Sequence, residues 1–208
     1  TVFALGGGAG PASAGASSNQ PLKLKADGVH SCETIDAGSL KRRARDGNVR
    51  AQFMLAKLFQ HGLCVERDQV AALGWFRRAA DEGHVEATFQ AAMQLINSAD
   101  GEETAITYLH KAAEGGHLMA QHVLGLALLS PEATIASRHQ GLYWLGSAAS
   151  SGSGFTALSL GMLHERGLRG VPKNVCLAMD WYEAGVLIGD SDSKHHYKRL
   201  AAIVGDDC

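Results

Sequence analysis

Four cysteines and ten histidines are the residues of this chain best suited to chemistry, as disulfides, metal ligands, nucleophiles or bases. Cys32, Cys64, Cys176 and Cys208 allow three pairings. Cys32 and Cys64 stand 32 residues apart, and so do Cys176 and Cys208. No C-x-x-C occurs, so a zinc ribbon or a dithiol redox motif is disfavoured. His195 and His196 are adjacent, so on a helix their side chains diverge by about 100° and share no face. No H-E-x-x-H exists, and His117 and His122 lack the four-residue spacing of that motif. Gly152-Ser153-Gly154 lacks the second half of a G-x-S-x-G elbow. Gly6 and Gly8 begin a dinucleotide fingerprint that Pro11 breaks, and no strand-helix-strand pattern follows. Nothing here assembles a nucleophile, a base and an oxyanion site, so no catalytic residue, metal site or cofactor is expected.

Bulk properties narrow the class. The formal net charge is -2, from 19 basic and 21 acidic residues, which argues against a nucleic-acid partner. No apolar run approaches the roughly 18 to 20 residues of a membrane span. Residues 1–20 are small, glycine-, alanine- and serine-rich and uncharged. With Val2 to Leu5 apolar and Ala12-Ser13-Ala14 resembling a signal-peptidase site, the stretch reads as the tail of an export signal. A flexible N-terminal segment is the alternative. The expected division is residues 1–30 as that tail and 31–208 as one folded domain.

The elements that would position any site emerge from a repeat. Small residues at Ala51, Ala87, Ala120, Thr156 and Ser193 recur at intervals of 36, 33, 36 and 37. A glycine stands four residues before each: Gly47, Gly83, Gly116, Gly152 and Gly189. An aromatic stands eight residues before the last four glycines, at Trp75, Tyr108, Trp144 and Trp181. Each unit reads as two helices. The first starts at the small residue and keeps apolar or small side chains on one face; Ala56, Ala92, Gly125 and Gly161 allow close approach there. The second carries the aromatic, expected in the core, and ends at the glycine, expected as a left-handed cap. One helix pair leaves its apolar face bare, so the pairs must stack into an all-α solenoid. Cys32 to Gly47 and Ser193 to Gly205 read as half-units at the ends, with Lys198 at a normally small buried place.

These residues resemble the Sel1-like repeat family, relatives of tetratricopeptide repeats. Ala51, Leu55, Phe59, Gly62, Val65, Asp68, Ala72, Trp75, Phe76, Ala79, Ala80 and Gly83 follow its pattern. Thr156, Leu160, Gly161, Gly167, Gly170, Val171, Asn174, Ala178, Trp181, Tyr182 and Gly189 follow it again, while the second unit lacks the G-x-G-V loop. The resemblance implies a right-handed solenoid of TPR-like helix pairs. It also implies a scaffold for protein-protein interaction rather than an enzyme. A narrower resemblance, to the flagellar motor proteins of the MotX group, is carried by KAD before Cys32, by AQFMLAKLFQHGLCVERD and by HHYKRL at His195 to Leu200. It implies a periplasmic component of the motor's stator and T-ring assembly. A cytosolic regulatory adaptor and a cell-wall or β-lactam hydrolase are the alternatives.

Two expectations follow for sites. Each cysteine pair joins the start of a second helix to the inter-helix loop of the next unit. Bridges Cys32–Cys64 and Cys176–Cys208 are therefore expected, closing both ends; four free thiols in a cytosolic protein are the alternative. A protein or peptide partner is expected on the concave face lined by first helices. Its non-core places are Gln52, Lys57, Gln60, His61, Gln90, Gln94, Gln121 and His122, an amide-rich row suited to hydrogen bonding.

Overall fold

A computed structural model describes residues 36–96, 101–130, 132–205 and 208, all within one compact unit. The described residues form ten helices and no strand: α1 (Ala37–Arg45), α2 (Val49–His61), α3 (Gln69–Asp81), α4 (Val85–Ile96), α5 (Glu102–Glu114), α6 (Leu118–Leu128), α7 (Ile135–Ser150), α8 (Gly154–Arg166), α9 (Val175–Ile188) and α10 (Ser191–Val204). Consecutive helices pack on each other, giving the pairs α2/α3, α4/α5, α6/α7 and α8/α9 with α1 and α10 as single helices before and after. This is the all-α repeat fold that the cadence of small residue, aromatic and glycine implies.

The joints between pairs are built one way throughout. Gly47, Gly83, Gly116, Gly152 and Gly189 have φ of 86°, 82°, 81°, 99° and 95°, where a side chain is strained. The next residue donates its backbone N–H five residues back: Asn48 to Arg43, His84 to Ala79, His117 to Ala112, Ser153 to Ala148 and Asp190 to Gly185. That same residue then caps the following helix. Asn48 Oδ1 accepts from Ala51 N (2.9 Å), His84 Nδ1 from Ala87 N (3.1 Å) and His117 Nδ1 from Ala120 N (3.1 Å). Ser153 Oγ accepts from Thr156 N (3.4 Å) and Asp190 Oδ2 from Ser193 N (2.6 Å). One glycine thus ends a helix while its neighbour starts the next, satisfying orphan groups on both sides. His84 and His117 also stack on Phe53 and Phe89, with ring centroids 4.4 and 4.3 Å apart. They are structural parts of the joint.

The core corrects one expectation. Trp75, Tyr108, Trp144 and Trp181 are only partly buried. The large side chain that is fully buried in each second helix is the next one: Phe76, Leu109, Leu145 and Tyr182. The aromatics lie across boundaries instead; Tyr108 packs against the apolar clusters of both the first and second pairs. The small places behave as expected. A Cβ on Gly125 would lie 2.6 Å from Leu145 Cγ and 2.8 Å from the Gly141 carbonyl, and one on Gly161 would collide with the Tyr182 ring. On α10, Lys198 is exposed, in keeping with a polar outer side.

Cys176 and Cys208 form a disulfide, tying the first turn of α9 to a residue beyond the end of α10. Cys32 lies outside the described residues, and so does the expected Cys32–Cys64 bridge. No free cysteine occurs among the described residues.

Candidate functional site

The first helices are stitched to one another by side chains. Gln60 Nε2 on α2 donates to Gln90 Oε1 on α4 (3.4 Å). Glu86 on α4 meets His117 Nε2 at the start of α6 (2.8 Å). Because His117 Nδ1 accepts the cap bond, its Nε2 is the donor to Glu86. On α6, His122 Nδ1 lies 3.1 Å from Thr156 Oγ1 of α8, which also lies 2.7 Å from Ser153 Oγ. Glu165 on α8 accepts from Arg199 of α10 (2.6 Å) and from Tyr182 of α9 (2.7 Å). One unbroken line of contacts therefore runs α2–α4–α6–α8–α10.

The expected partner residues divide in two. Gln52, Gln121 and His122 are buried, 6%, 6% and 4% exposed, which corrects their reading as open, non-core places. Gln52 Nε2 donates to the Ala44 carbonyl (3.3 Å), and Gln121 Nε2 to the Ala113 carbonyl (3.0 Å). Each adds a second donor to a carbonyl at the end of the helix before, which also accepts from a backbone N–H, Gly47 N to Ala44 (3.3 Å) and Gly116 N to Ala113 (3.0 Å). Burial lowers the pKa of His122, so it sits neutral beside Thr156.

Lys57, Gln60, Gln90 and Gln94 remain half-buried and His61 is exposed. Gln60, His61 and Gln94 meet in a depression of about 350 Å³ together with Arg67, Gln69 and Met93. Gln94 Nε2 donates to Gln69 Oε1 (3.3 Å), and Gln69 Nε2 to the Gln60 carbonyl (3.0 Å). Burial and then the charges of Lys57 and Arg67 lower the pKa of His61. At Glu86, burial alone would raise the pKa, but hydrogen bonds from Gln90 and His117 and the charges of His117 and Lys57 outweigh it and lower it. Arg67, Gln69 and Glu86 belong to this region and were not singled out from sequence as partner residues. Arg67 and Gln69 sit in or beside the inter-helix loop, which the first-helix pattern does not cover.

Other clusters do not gather. His195 and His196 rings stand at 89° to each other, and His196 stacks on Tyr182 instead. No group of three His, Cys, Asp or Glu residues among the described residues is placed to hold a metal ion. Among the described residues, no helix is long and apolar enough to cross a membrane.

The family model for the Sel1 repeat matches residues 49–84 and 157–189, the first and fourth pairs of the stack. These two pairs are Sel1-like repeats. Residues 72–158, which span the middle pairs and overlap both Sel1 matches, match the model for plant tetratrico peptide repeats. Among solved structures, the repeat stack is similar to a protective antigen of uropathogenic Escherichia coli displaying an SLR fold. Identity there is 24% and the TM-score 0.70, over 82% of this chain and 37% of that one. It is similar to a Sel1 repeat protein from Oxalobacter formigenes at 29% identity and TM-score 0.63, over 79% of this chain and 48% of that one. An immunity protein from Pseudomonas aeruginosa shares 20% identity at TM-score 0.53, over 81% of this chain and 62% of that one. This chain thus spans less than half of the first two proteins. No curated protein sequence matches it.

Proposed function

We propose that this Sel1-repeat chain is an exported scaffold that binds a protein or peptide partner along its row of first helices. The observation that carries the reading is the ordered line of half-buried amides on α2 and α4. Gln60, Gln90 and Gln94 are each held by a neighbouring side chain while still reaching solvent, so a partner would meet oriented groups. The Cys176–Cys208 disulfide supports export, because such bonds persist in oxidising compartments. A periplasmic place in a flagellar stator and T-ring assembly is the finer proposal, and it rests on the MotX-like residues around Cys64 and at His195 to Leu200.

Photo-crosslinking amino acids placed at Lys57 and Gln94 in the source cell test the binding face, with Arg78 and Tyr143 on the second helices as controls. Protein adducts are expected from the first pair and not from the second; the reverse would reject the face. Alkylation in intact cells before lysis tests export. Cys176 and Cys208 are expected to resist a membrane-permeant maleimide, and quantitative labelling would reject an oxidising location. Recovery of flagellar motor proteins in the adducts is the outcome the finer proposal requires.

A further inference from the structure

We infer that the α8–α9 connection is an acid-sensitive latch, closed while His164 is neutral and opened when that ring takes a proton.

The α2–α3 and α8–α9 connections are closed in the same way. Gly62 and Gly167 end α2 and α8 in the left-handed conformation, with φ of 68° and 67°. Three residues before each glycine, a carbonyl accepts the N–H of the residue that caps the next helix. Phe59 accepts from Asp68 (3.0 Å) and His164 from Asn174 (2.8 Å). Asp68 then caps α3 through Ala71 N, and Asn174 caps α9 through Leu177 N. The side chains on the two carbonyl residues differ. Phe59 is apolar and packs against two apolar clusters. His164 puts an ionisable ring at the same place, only 8% exposed.

That ring is accommodated in one protonation state. It hydrogen-bonds the Pro172 backbone, within the connection itself, and its Nδ1 is buried with no hydrogen-bond partner. A neutral imidazole has one N–H to give, and a protonated one has two; the second would be buried with no acceptor. No carboxylate answers a charge here. Glu165 is taken by Tyr182 and Arg199, with His196 beside it. Glu132 ahead of α7 and Asp180 and Glu183 on α9 are exposed. So are Arg166, Lys173 and His139, and Lys194, His195 and Lys198 on α10. Arg138 of α7 lies against Gly170, Arg169 donates to the Leu126 carbonyl of α6 (3.1 Å), and His122 of α6 is held at Thr156. Burial is accordingly the first cause acting on His164 and lowers its pKa from 6.5, against the Pro172 bond. Above that pH the ring is neutral whether the latch is closed or open. Below it the open form takes up the proton first, so the latch loosens as pH falls. Opening reaches beyond the loop. Val171 leaves the apolar cluster it shares with Leu129 and Leu145, and Arg169 leaves the end of α6, so the third and fourth pairs lose a tie.

The test is amide hydrogen exchange on the full chain with its disulfide intact, each rate taken relative to the intrinsic rate at that pH. Between about pH 7.5 and about pH 5.5, protection of the Val171 and Asn174 N–H groups is expected to fall by up to about tenfold. That is the limit for one proton gained over about one pH unit below 6.5. Asp68 N–H, in the Phe59 connection, is expected to keep its protection. His164→Phe, which copies the residue type of the α2–α3 connection, should abolish the fall, and His122→Gln should leave it in place. A fall of equal size at Asp68, or one that persists in His164→Phe, overturns the inference. Should His164→Phe not fold, the ring carbon shifts of His164 in the unaltered chain decide. A titration midpoint below 6.5 supports the latch, and one at or above 6.5 overturns it.

Discussion

The α2–α4 and α8–α10 contacts occupy equivalent places in the repeat and are made of different chemistry. Between α2 and α4 a neutral amide pair meets at 3.4 Å beside an open depression. Between α8 and α10, Glu165 takes a 2.6 Å bond from Arg199, with His196 3.7 Å away, and it also takes a 2.7 Å bond from Tyr182 of α9, the helix whose first turn carries the Cys176–Cys208 bridge. Charge-assisted bonds hold about twice as strongly as neutral ones. The repeat sets how far apart first helices stand, and side chains then decide whether a contact clamps or yields to a ligand. By that argument the α8–α10 side holds the stack and the α2–α4 side is where a partner exchanges with existing bonds.

The largest effect should come from the core beneath the clamp. Tyr182→Ala is expected to cost about 3 to 5 kcal/mol in chemical denaturation, as for other large buried aromatics. Trp181→Ala should cost less, since Trp181 is only partly buried; a greater loss at Trp181 would mean the packing register is wrong. Next is the bridge. Cys208→Ser opens a link across 32 residues, which the chain-entropy model values at roughly 3 to 4 kcal/mol. Hydrogen exchange should rise in α9 and α10 and stay unchanged in α2 to α5; uniform loosening would contradict a local clamp.

Acid should act on the α6–α10 side in two stages. Burial lowers the pKa of His122 and of His164 from 6.5, the latter against an opposing hydrogen bond to the Pro172 backbone. Below about pH 6.5 the unfolded chain therefore binds more protons than the folded one, and stability falls as pH drops towards the folded values. At Glu165, burial would raise the pKa, but Tyr182, Arg199 and His196 outweigh it and lower it from 4.5, so a second loss begins below that pH. The drop in thermal midpoint between pH 7 and pH 5 should shrink in His122→Gln; an unchanged drop would remove His122 from the account. The smallest expected effect is at a joint. His117→Ala should cost about 1 kcal/mol as a lost N-cap and His117→Asn much less. Equal losses would assign the role of His117 to its Glu86 and Phe89 contacts instead of the cap.

Much of this fold is legible in the sequence, for a physical reason. The joint needs a left-handed residue, then a cap, then a small residue, so Gly, polar and small types fall at fixed offsets from Gly47 to Ser193. Gly161 could be read as a close approach because no other side chain fits under Tyr182. The aromatic place is offset by one because residues about 100° apart can both face a neighbouring helix, and the conspicuous Trp is not the deeper of the two. Gln52 and Gln121 read as surface because amides usually are, yet each is buried and donates to the end of the preceding helix. The stitching pairs are 30, 31, 34 and 34 residues apart, close to one repeat, so a search for polar residues at that spacing could have found them. The depression itself was only half legible: Gln60, His61 and Gln94 come from the first-helix pattern, whereas Arg67 and Gln69 come from the connection after it.

The central claim, that α2–α4 binds while α8–α10 holds the stack, is tested most directly by crosslink yield at Lys57 per folded molecule. It is to be compared between Gln94→Glu and Glu165→Gln in the source cell. The account predicts that Gln94→Glu loses the adduct with its thermal midpoint unchanged, and that Glu165→Gln lowers the midpoint while its folded fraction still forms the adduct. Loss of the adduct in folded Glu165→Gln with full retention in Gln94→Glu would contradict it.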